Sequence, residues 1–291
     1  MLYRATHTTR YAYQQPVSTS VNEARLTLRE TPWQKVRSSE ITVSPDPASI
    51  STRKDYFGNV VTTLSVLEPH DHLTVTASSV VEVLPRQQKL GVPISWEDTR
   101  AMLAAQADDD CLAAYEYVCD SPFVRRDAAL ARYAKPTFTP GRPLLDAARE
   151  LTTRIKSEFK YEPSSTTIDT PVATVLEKRA GVCQDFAHLM IGALRSLGLA
   201  ARYISGYLRS GADLQGSEAS HAWVAVFVPG TGWLHYDPTN DVMPSEGHVT
   251  IGWGRDYGDV TPLKGITLGG GGDGDSVITV DVRVRPLAVS S

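Results

Sequence analysis

Within the first 85 residues, apolar and polar positions form several strand-like segments, and residues 73–76 alternate with the period of two that is typical of a strand with one buried face. Thr, Val and Tyr are frequent in these segments, and turn residues such as Pro, Gly and Asn separate them. The pattern predicts five strands, over residues 3–13, 21–28, 39–43, 60–67 and 72–84. We therefore expect an all-β, sandwich-like N-terminal domain over residues 1–85.

The pattern then changes to helical spacing. Ala is frequent over residues 95–118, where apolar residues recur at intervals of three and four, and several prolines follow. We interpret residues 86–142 as a helical connecting region. Residues 144–159 have an amphipathic pattern that predicts a helix, and Pro143 stands where a proline fits a helix start.

Residues 183–197 predict a second amphipathic helix, because their apolar residues share one stripe and Gly198 follows as a stop. Residues 201–208 then alternate as a strand. Residues 221–228 and 233–239 flank the turn sequence Pro-Gly-Thr-Gly, which indicates a β-hairpin.

The register of this hairpin decides whether two polar residues meet. With a three-residue loop, Val228 faces Gly232, and His221 and Asp237 lie on one face as diagonal neighbours, about 7–8 Å apart at the backbone. A two-residue loop would place them on opposite faces of the sheet. A site that uses both residues therefore requires the three-residue loop or a bulge.

These patterns place a core domain over residues 143–265. The last part of the chain, residues 266–291, contains a glycine-rich stretch at residues 269–274, for which we expect a flexible loop. The alternating segment over residues 277–285 predicts a final strand.

Cys183 stands at or near the N-terminus of the predicted second helix. Unpaired backbone N–H groups and the positive end of the helix dipole favour a thiolate at that position. A thiolate attacks an acyl carbon, a histidine takes and returns a proton, and an aspartate holds the imidazole in its reactive tautomer. Cys183, His221 and Asp237 supply these groups, and a cysteine on a helix followed by a histidine on a strand matches papain-like topology.

Three motifs carry a resemblance to a known family: GVCQDFAH at residues 181–188, SHAW at residues 220–223 and YDPTN at residues 236–240. Together they resemble the motifs of the bacterial transglutaminase-like superfamily, whose members are often described as cysteine proteases. The β-rich start, with DYFGN at residues 55–59, is similar to the N-terminal domain that precedes the core in one bacterial branch.

The resemblance implies an α+β protein. A papain-like transglutaminase core, in which the nucleophile helix packs on an antiparallel sheet, would follow the β-rich N-terminal domain. It also implies Cys183 as nucleophile, His221 as base and Asp237 as the residue that orients His221. A thioester intermediate would then be resolved by water or by an amine.

The oxyanion of such a reaction needs hydrogen-bond donors. The backbone N–H of Cys183 is one candidate, because it lies at a helix N-terminus. Tyr161 is our candidate for the second donor, with Gln184 behind it. Trp223 is a candidate for lining a substrate groove, although packing in the core is the commoner role of a tryptophan. We interpret residues 210–220 and 242–264 as loops that set specificity.

Composition and charge limit the classes of partner that the protein can be expected to bind. The chain has 291 residues, of which 42% are hydrophobic and 21% charged, and its formal net charge is −4. A mildly acidic chain argues against nucleic acid as the main partner. No apolar run approaches the roughly 18 residues of a membrane span, and the N-terminus lacks the apolar segment of a secretory signal. We therefore predict a cytoplasmic protein with a peptide or protein substrate, no nucleic acid and no membrane partner.

The sequence predicts no cofactor and no metal. Its three cysteines do not form a disulfide framework, so we expect free thiols. A zinc site of Cys183, His188 and His221 would need a fourth ligand and a different geometry. We expect His188 to be a structural residue, and the oligomeric state stays open.

Three functions remain open at this point. We place hydrolysis of a peptide or amide bond slightly ahead of protein-glutamine transamidation, because the chain lacks the large calcium-binding apparatus of animal transglutaminases. The third possibility is a non-catalytic binding module that retains the fold. The complete set of Cys, His and Asp argues against that module.

Overall fold

A computed structural model of the protein describes residues 1–86, 92–211, 214–216, 219–269 and 276–288. Within these ranges, the two ends of the chain build one large antiparallel sheet, and the middle builds a core of helices and a smaller sheet. No helix in these ranges is long and apolar enough to cross a membrane.

The N-terminal region is all β, as predicted. Its strands are β1 (Leu2–Ala24), β2 (Gln34–Ser44), β3 (Ser49–Lys54), β4 (Val60–Val66) and β5 (His70–Val83). They lie in one sheet in the order β2-β5-β1-β4-β3. The long strand β1 joins two halves of this sheet, because residues 2–12 pair with β5 and residues 20–24 pair with β4.

The two halves share an apolar interior, which gives the region its sandwich-like character. Leu64 and Val66 of β4 belong to the same buried cluster as Leu73 and Val75 of β5. Alternate residues of a strand point to opposite faces, so the residues between them remain free to face solvent. The connection through β1 makes the region one continuous sheet.

Two details of this region differ from the sequence pattern. The strand predicted over residues 3–13 and the first part of the one predicted over residues 21–28 belong to β1, which continues through Pro16 and ends at Ala24. The pairing of β1 with β5 shifts register between Ala12 and Val17, and an irregularity of this kind accommodates a proline that cannot donate to the ladder. Strand β3 was not predicted, because all of its residues are exposed and it shows no apolar alternation.

The connecting region contains three short helices: α1 (Trp96–Ala105), α2 (Asp109–Tyr115) and α3 (Ala128–Ala134). Ser95 and Asp108 cap the first two, since their side-chain oxygens accept the backbone N–H groups of Asp98 and Cys111. Helix α3 was not predicted, because it is only 7 residues long and lies in a proline-rich stretch.

The core combines three helices with six strands. They are α4 (Leu144–Glu158), β6 (Lys160–Tyr161), α5 (Val172–Lys178), β7 (Ala180–Gly181), α6 (Cys183–Ser196), β8 (Ala201–Leu208), β9 (His221–Val228), β10 (Gly232–Tyr236) and β11 (His248–Gly254). The last four strands form an antiparallel sheet in the order β10-β9-β8-β11. Helix α6 packs on this sheet, with Leu189 and Ala193 in one buried cluster with Val224 and Val226. The predicted packing of the helix that begins at Cys183 on an antiparallel sheet is confirmed.

The C-terminal strands, β12 (Leu263–Gly269) and β13 (Ser276–Pro286), return to the N-terminal sheet. Both pair antiparallel with β1, which brings that sheet to seven strands in the described residues. The strand predicted over residues 277–285 is confirmed as β13. Residues 270–274 of the predicted glycine-rich loop lie outside the described residues.

Candidate active site

The site begins at the N-terminus of α6. Val182 is extended, and Cys183 is the first residue of the helix, as predicted. The Asp185 carboxylate accepts the Val182 N–H at 2.8 Å and the Thr166 hydroxyl at 2.7 Å. Gly181 leaves room for that carboxylate, because a Cβ there would lie 2.8 Å from Asp185. These contacts fix the backbone that carries the half-buried Cys183 side chain.

The hairpin of β9 and β10 has the three-residue loop that the site requires. Val228 faces Gly232, which is the register that places His221 and Asp237 on one face of the sheet. His221 Nε2 lies 2.8 Å from Asp237 Oδ2. Both side chains are completely buried, so water does not compete for this hydrogen bond.

The Asp237 carboxylate accepts five hydrogen bonds. Its Oδ1 accepts the backbone N–H groups of Thr239 at 2.9 Å and Asn240 at 3.2 Å. Its Oδ2 accepts the Asn240 side-chain amide at 2.9 Å, His221 Nε2 at 2.8 Å and His248 Nε2 at 3.2 Å. A carboxylate can only accept, so both histidines carry their proton on Nε2 in this arrangement.

The charges of His221 and Asp237 support each other. Burial acts to lower the pKa of His221, but the charge and the hydrogen bond of Asp237 outweigh it and raise this pKa to about 10. Burial acts to raise the pKa of Asp237, but the contacts with His221 and His248 hold it well below its usual range. An imidazolium–carboxylate pair is therefore the stable form at neutral pH.

The Cys183 thiol lies beside the His221 imidazole. Its Sγ is 4.0 Å from the carbonyl oxygen of Ser220, the residue before His221, and the thiol contributes to the raised pKa of His221. Since Nε2 is bonded to Asp237, Nδ1 is the nitrogen left for the thiol. This Nδ1 is buried and has no hydrogen-bond partner in the described part of the chain. The structure thus brings the three predicted residues together.

A cleft of about 650 Å³ opens at Cys183 and His221. Tyr161 and Gln184, the candidate oxyanion and substrate residues, both line it. The Gln184 amide donates to the Ile168 carbonyl at 3.1 Å, which anchors this side chain at the wall. No Asp, Glu, Lys or Arg is among the described residues that line the cleft.

The Tyr161 hydroxyl faces the same space as the His221 imidazole. A Cβ added to Gly216 would lie 3.6 Å from the Tyr161 hydroxyl and 2.9 Å from His221 Nδ1. Burial, followed by the nearby Cys183, raises the pKa of Tyr161 to about 12. Its phenol therefore stays protonated at neutral pH and can donate a hydrogen bond into the cleft.

The structure does not place Trp223 in the cleft, which corrects the substrate-lining prediction. Its side chain is fully buried, and its Nε1 donates to His235 Nδ1 at 2.9 Å. The Trp223 ring stacks on His221 with 6.2 Å between ring centroids. The reason is the strand period of two, which puts both residues on the sheet face turned away from α6. Trp223 therefore contacts the His221 ring from inside the protein and does not reach the cleft.

Sequence reasoning missed four residues near the site. Tyr203, Ser205 and Tyr257 line the cleft, and His248 bonds to Asp237. The alternation along β8 could have placed Tyr203 and Ser205 on one face, but not beside Cys183. The segment interpreted as a loop at residues 242–264 contains β11, and a histidine at the start of that apolar strand was the available signal.

The described residues hold one group with metal-like spacing, because donor atoms of His221, Asp237 and His248 lie within 4.8 Å of one another. Both histidines use these atoms to donate to Asp237, so hydrogen bonds occupy the group. His188, which the zinc alternative required, accepts the Tyr257 N–H at 3.1 Å and is buried. It is a structural residue, as predicted.

Two family descriptions match this chain. "Bacterial transglutaminase-like N-terminal region" matches residues 3–82, which cover most of strands β1–β5. "Transglutaminase-like superfamily" matches residues 131–238, a range that contains Cys183, His221 and Asp237.

Three individual proteins are similar to this chain. An uncharacterized protein of Mycobacterium tuberculosis is 40% identical over 98% of this chain and 93% of its own length. A crystal structure of a "Putative Cysteine Protease" from Cytophaga hutchinsonii has a TM-score of 0.77 at 22% identity, and the match covers 100% of this chain and 92% of that one. A "Protein-glutamine gamma-glutamyltransferase" of Pseudomonas aeruginosa is 30% identical over 32% of this chain and 16% of its own length. The chain belongs to the transglutaminase-like superfamily and includes the bacterial N-terminal region of that family.

Proposed function

We propose that the protein catalyses thiol-dependent acyl transfer on peptide or protein substrates, with hydrolysis of an amide bond as the favoured outcome. One observation carries the proposal. His221 bonds to the buried Asp237 through Nε2, at 2.8 Å, and leaves Nδ1 for the Cys183 thiol at the cleft. This is the geometry that a cysteine nucleophile needs.

The proposed reaction has two halves. The Cys183 thiolate attacks the acyl carbon, and the carbonyl electron pair moves to oxygen. The tetrahedral intermediate collapses to a thioester while His221 Nδ1–H protonates the leaving amine. In the second half, His221 Nδ1 takes a proton from water, the hydroxide adds to the thioester, and the Cys183 thiolate leaves.

Two donors are proposed for the oxyanion. The Cys183 backbone N–H lies at the N-terminus of α6, where it has no acceptor within the helix. The Tyr161 hydroxyl faces the cleft and stays protonated, since its pKa is raised to about 12. A neutral donor at Tyr161 can strengthen its bond as negative charge develops on the substrate oxygen.

The chemistry of the cleft favours water as the acyl acceptor. No acidic side chain is among its described lining residues, so the described part of the cleft offers no carboxylate to the ammonium of an approaching lysine. The names of the Pseudomonas and Cytophaga relatives, a glutamyltransferase and a cysteine protease, both denote acyl transfer. Transamidation is therefore retained as the alternative outcome of the same thioester.

Iodoacetamide labelling against pH, followed by mass spectrometry, tests the proposed nucleophile. We expect Cys183 to react well below pH about 7, and His221→Ala to abolish this reactivity. The other two cysteines are internal controls. Cys119 is exposed, and burial raises the pKa of Cys111 to about 11. Labelling of Cys183 that follows the pH dependence of Cys119 would contradict the proposal.

Product analysis separates the three functions. A peptide library is incubated with wild type and with Cys183→Ala, with and without an excess of primary amine. A hydrolase releases carboxylic acids in both conditions, and a transamidase converts glutamine peptides to substituted amides only when amine is present. Binding of peptides without any Cys183-dependent product would support the non-catalytic module instead.

A further inference from the structure

His248 is a buried histidine that the acyl-transfer mechanism does not use. It is the first residue of β11, at the sheet edge opposite β10, and its side chain is only 4% exposed. Its Nε2 lies 3.2 Å from Asp237 Oδ2, the oxygen that also accepts His221. Two strands that are not neighbours thus send a histidine to the same carboxylate oxygen.

We propose that His248 is a positioning residue, which rests on the proposed function: its Nε2–H bond to Asp237 sets the orientation and basicity of the carboxylate that holds His221. The argument is geometric. The bonds from Thr239 and Asn240 fix Oδ1, whereas Oδ2 must satisfy His221 and the Asn240 amide from other directions. The His248 donor completes the surroundings of Oδ2 in a site without competing water.

The ring of His248 is itself held in place. It packs edge-on against Trp223, with centroids 5.3 Å apart and an interplanar angle of 83°. Trp223 in turn stacks on His221 and donates to His235. The donor is therefore presented to Asp237 at a fixed angle, as a positioning role requires.

Burial, together with the positive charges of His221 and Arg86, lowers the pKa of His248, so that it acts as a neutral hydrogen-bond donor and not as a cation. Burial acts first to lower its pKa; Asp237 opposes this, and His221 and Arg86 add to the lowering. Among the described residues, His235 is a further titratable neighbour, since its own pKa is lowered in part by His248. The single negative charge of Asp237 can balance one imidazolium. We assign that positive charge to His221 and not to His248, because the bond from His221 to Asp237 is the shorter one.

Removal of the His248 donor should change the pKa of His221 in a defined direction. A carboxylate that loses a neutral donor holds more negative charge toward its remaining partner, which stabilises the His221 imidazolium. The pKa of His221 therefore rises when only the hydrogen bond is lost. If His248 merely fills space, its removal loosens the Asp237–His221 bond, and the pKa of His221 falls.

The experiment measures the pKa of His221 in the full chain by NMR, with histidine labelled in the ring. The chain has only 7 histidines, and His221→Gln assigns the signal. We expect His248→Leu to raise the pKa of His221 by roughly 0.5–1. We expect His248→Gln, whose amide can replace the Nε2 donor, to leave it at the wild-type value. Iodoacetamide labelling of Cys183 should move to lower pH in His248→Leu alone.

His70→Leu is the matched control, because His70 is buried in the N-terminal sheet and bonds to Ser20 at 3.1 Å. It should change neither readout. An unchanged or lowered pKa of His221 in His248→Leu, or the same change in His248→Gln, would overturn the positioning role. An ordinary His221 pKa in wild type would instead overturn the proposed function, so the two failures are distinguishable. Thermal unfolding verifies that each variant is folded.

Discussion

The two faces of the sheet formed by β8–β11 pack in different ways. The face turned to α6 is mainly aliphatic where the helix packs: Val224, Val226 and Val228 share a buried cluster with Leu189 and Leu194 of the helix. Dispersion and the hydrophobic effect stabilise such contacts without a preferred angle. This face therefore constrains the volume of its side chains more than their orientation.

The opposite face is aromatic and cationic. The Arg202 guanidinium carbon lies 4.3 Å from the Trp233 ring centroid and 4.0 Å from that of Trp253. Arg29 of the N-terminal region lies 3.5 Å from the Trp253 ring. Burial lowers the pKa of Arg202 to about 9, which leaves it charged at neutral pH. Contacts between cations, rings and hydrogen-bond donors depend on angle, so this face specifies direction.

His221 and Asp237 belong to the directional face, which the N-terminal region covers. Trp33 of that region lies edge-on to His235, which accepts the Trp223 indole behind His221. The aliphatic face supports the same strands but contacts neither polar group. We therefore expect substitutions in the aliphatic cluster between α6 and the sheet, away from the cleft, to change stability alone, and substitutions on the opposite face to change the reactivity of Cys183.

The largest expected effect belongs to Asp237→Asn. Without the carboxylate charge, burial leaves the pKa of His221 below its ordinary 6.5, so the imidazolium is lost at neutral pH. We expect turnover to fall by roughly 10²–10⁴. Labelling of Cys183 at pH 6 should disappear in the same variant. Wild-type labelling at that pH would show that Asp237 does not control His221.

We also predict how the free energy of unfolding of Asp237→Asn depends on pH. Asp237, with a lowered pKa, stabilises the fold above its ordinary 3.8, and His221, with a raised pKa, does so fully below 6.5 and less as pH rises toward about 10. Urea unfolding should show the largest loss in Asp237→Asn near pH 5–6 and a smaller loss near pH 10. Asp281→Asn, in an exposed pair with Arg283, is the control without this trend.

The next effect tests the aliphatic face. Leu194→Ala deletes a fully buried side chain in the cluster under the sheet. We expect the free energy of unfolding to fall by about 2–5 kcal/mol, measured by urea titration. The pH dependence of Cys183 labelling should not change in the folded protein. Leu112→Ala, at a residue that is 54% exposed, should cost much less.

A smaller effect is expected where the N-terminal sheet joins the core. Gln34 is fully buried, donates to the Arg29 and Thr250 carbonyls at 2.8 and 2.6 Å, and accepts the Thr250 N–H at 2.8 Å. Gln34→Ala leaves these groups unpaired, so we expect a loss of about 2–3 kcal/mol by chemical unfolding. The exposed Gln14→Ala is the control. Equal stability of the two variants would mean that water replaces the amide.

The smallest effect is expected for Trp223→Phe, which removes the indole donor and leaves His235 Nδ1 unpaired. We expect about 1–2 kcal/mol of destabilisation. We also expect a measurable change in the pH midpoint of Cys183 labelling, because the ring behind His221 is altered. Trp96→Phe removes a more exposed bond to the Thr139 carbonyl and should change neither. A stability loss without any change in labelling would weaken the distinction between the faces.

Local pattern was sufficient for much of the candidate site. The apolar stripe after Cys183 gave the helix and its start, and the hairpin pattern gave two registers, of which the structure has the one with Val228 opposite Gly232. Trp223 was assigned to the wrong environment. The pattern allows a tryptophan on a strand to lie in a groove or, more commonly, in a core, and only the neighbouring layer decides between them.

The contact between His248 and Asp237 could not be predicted from the sequence pattern. His248 lies 11 residues from Asp237 along the chain, on a strand that the pattern did not identify. The pairing of β11 with β8 brings it to the carboxylate, and strand pairing at that distance has no local signal. The return of β12 and β13 to β1 was unpredictable for the same reason.

The sequence by itself determined the order of the strongly patterned elements, the helix that begins at Cys183 and the residue types that acyl transfer needs, because these depend on neighbours within a turn or a hairpin. The tertiary structure alone decided which sheet face meets the N-terminal region and which donors reach Asp237. Those choices depend on how layers bury their faces against each other. A sequence pattern indicates which face of a strand can be buried, but it does not indicate which part of the protein will cover that face.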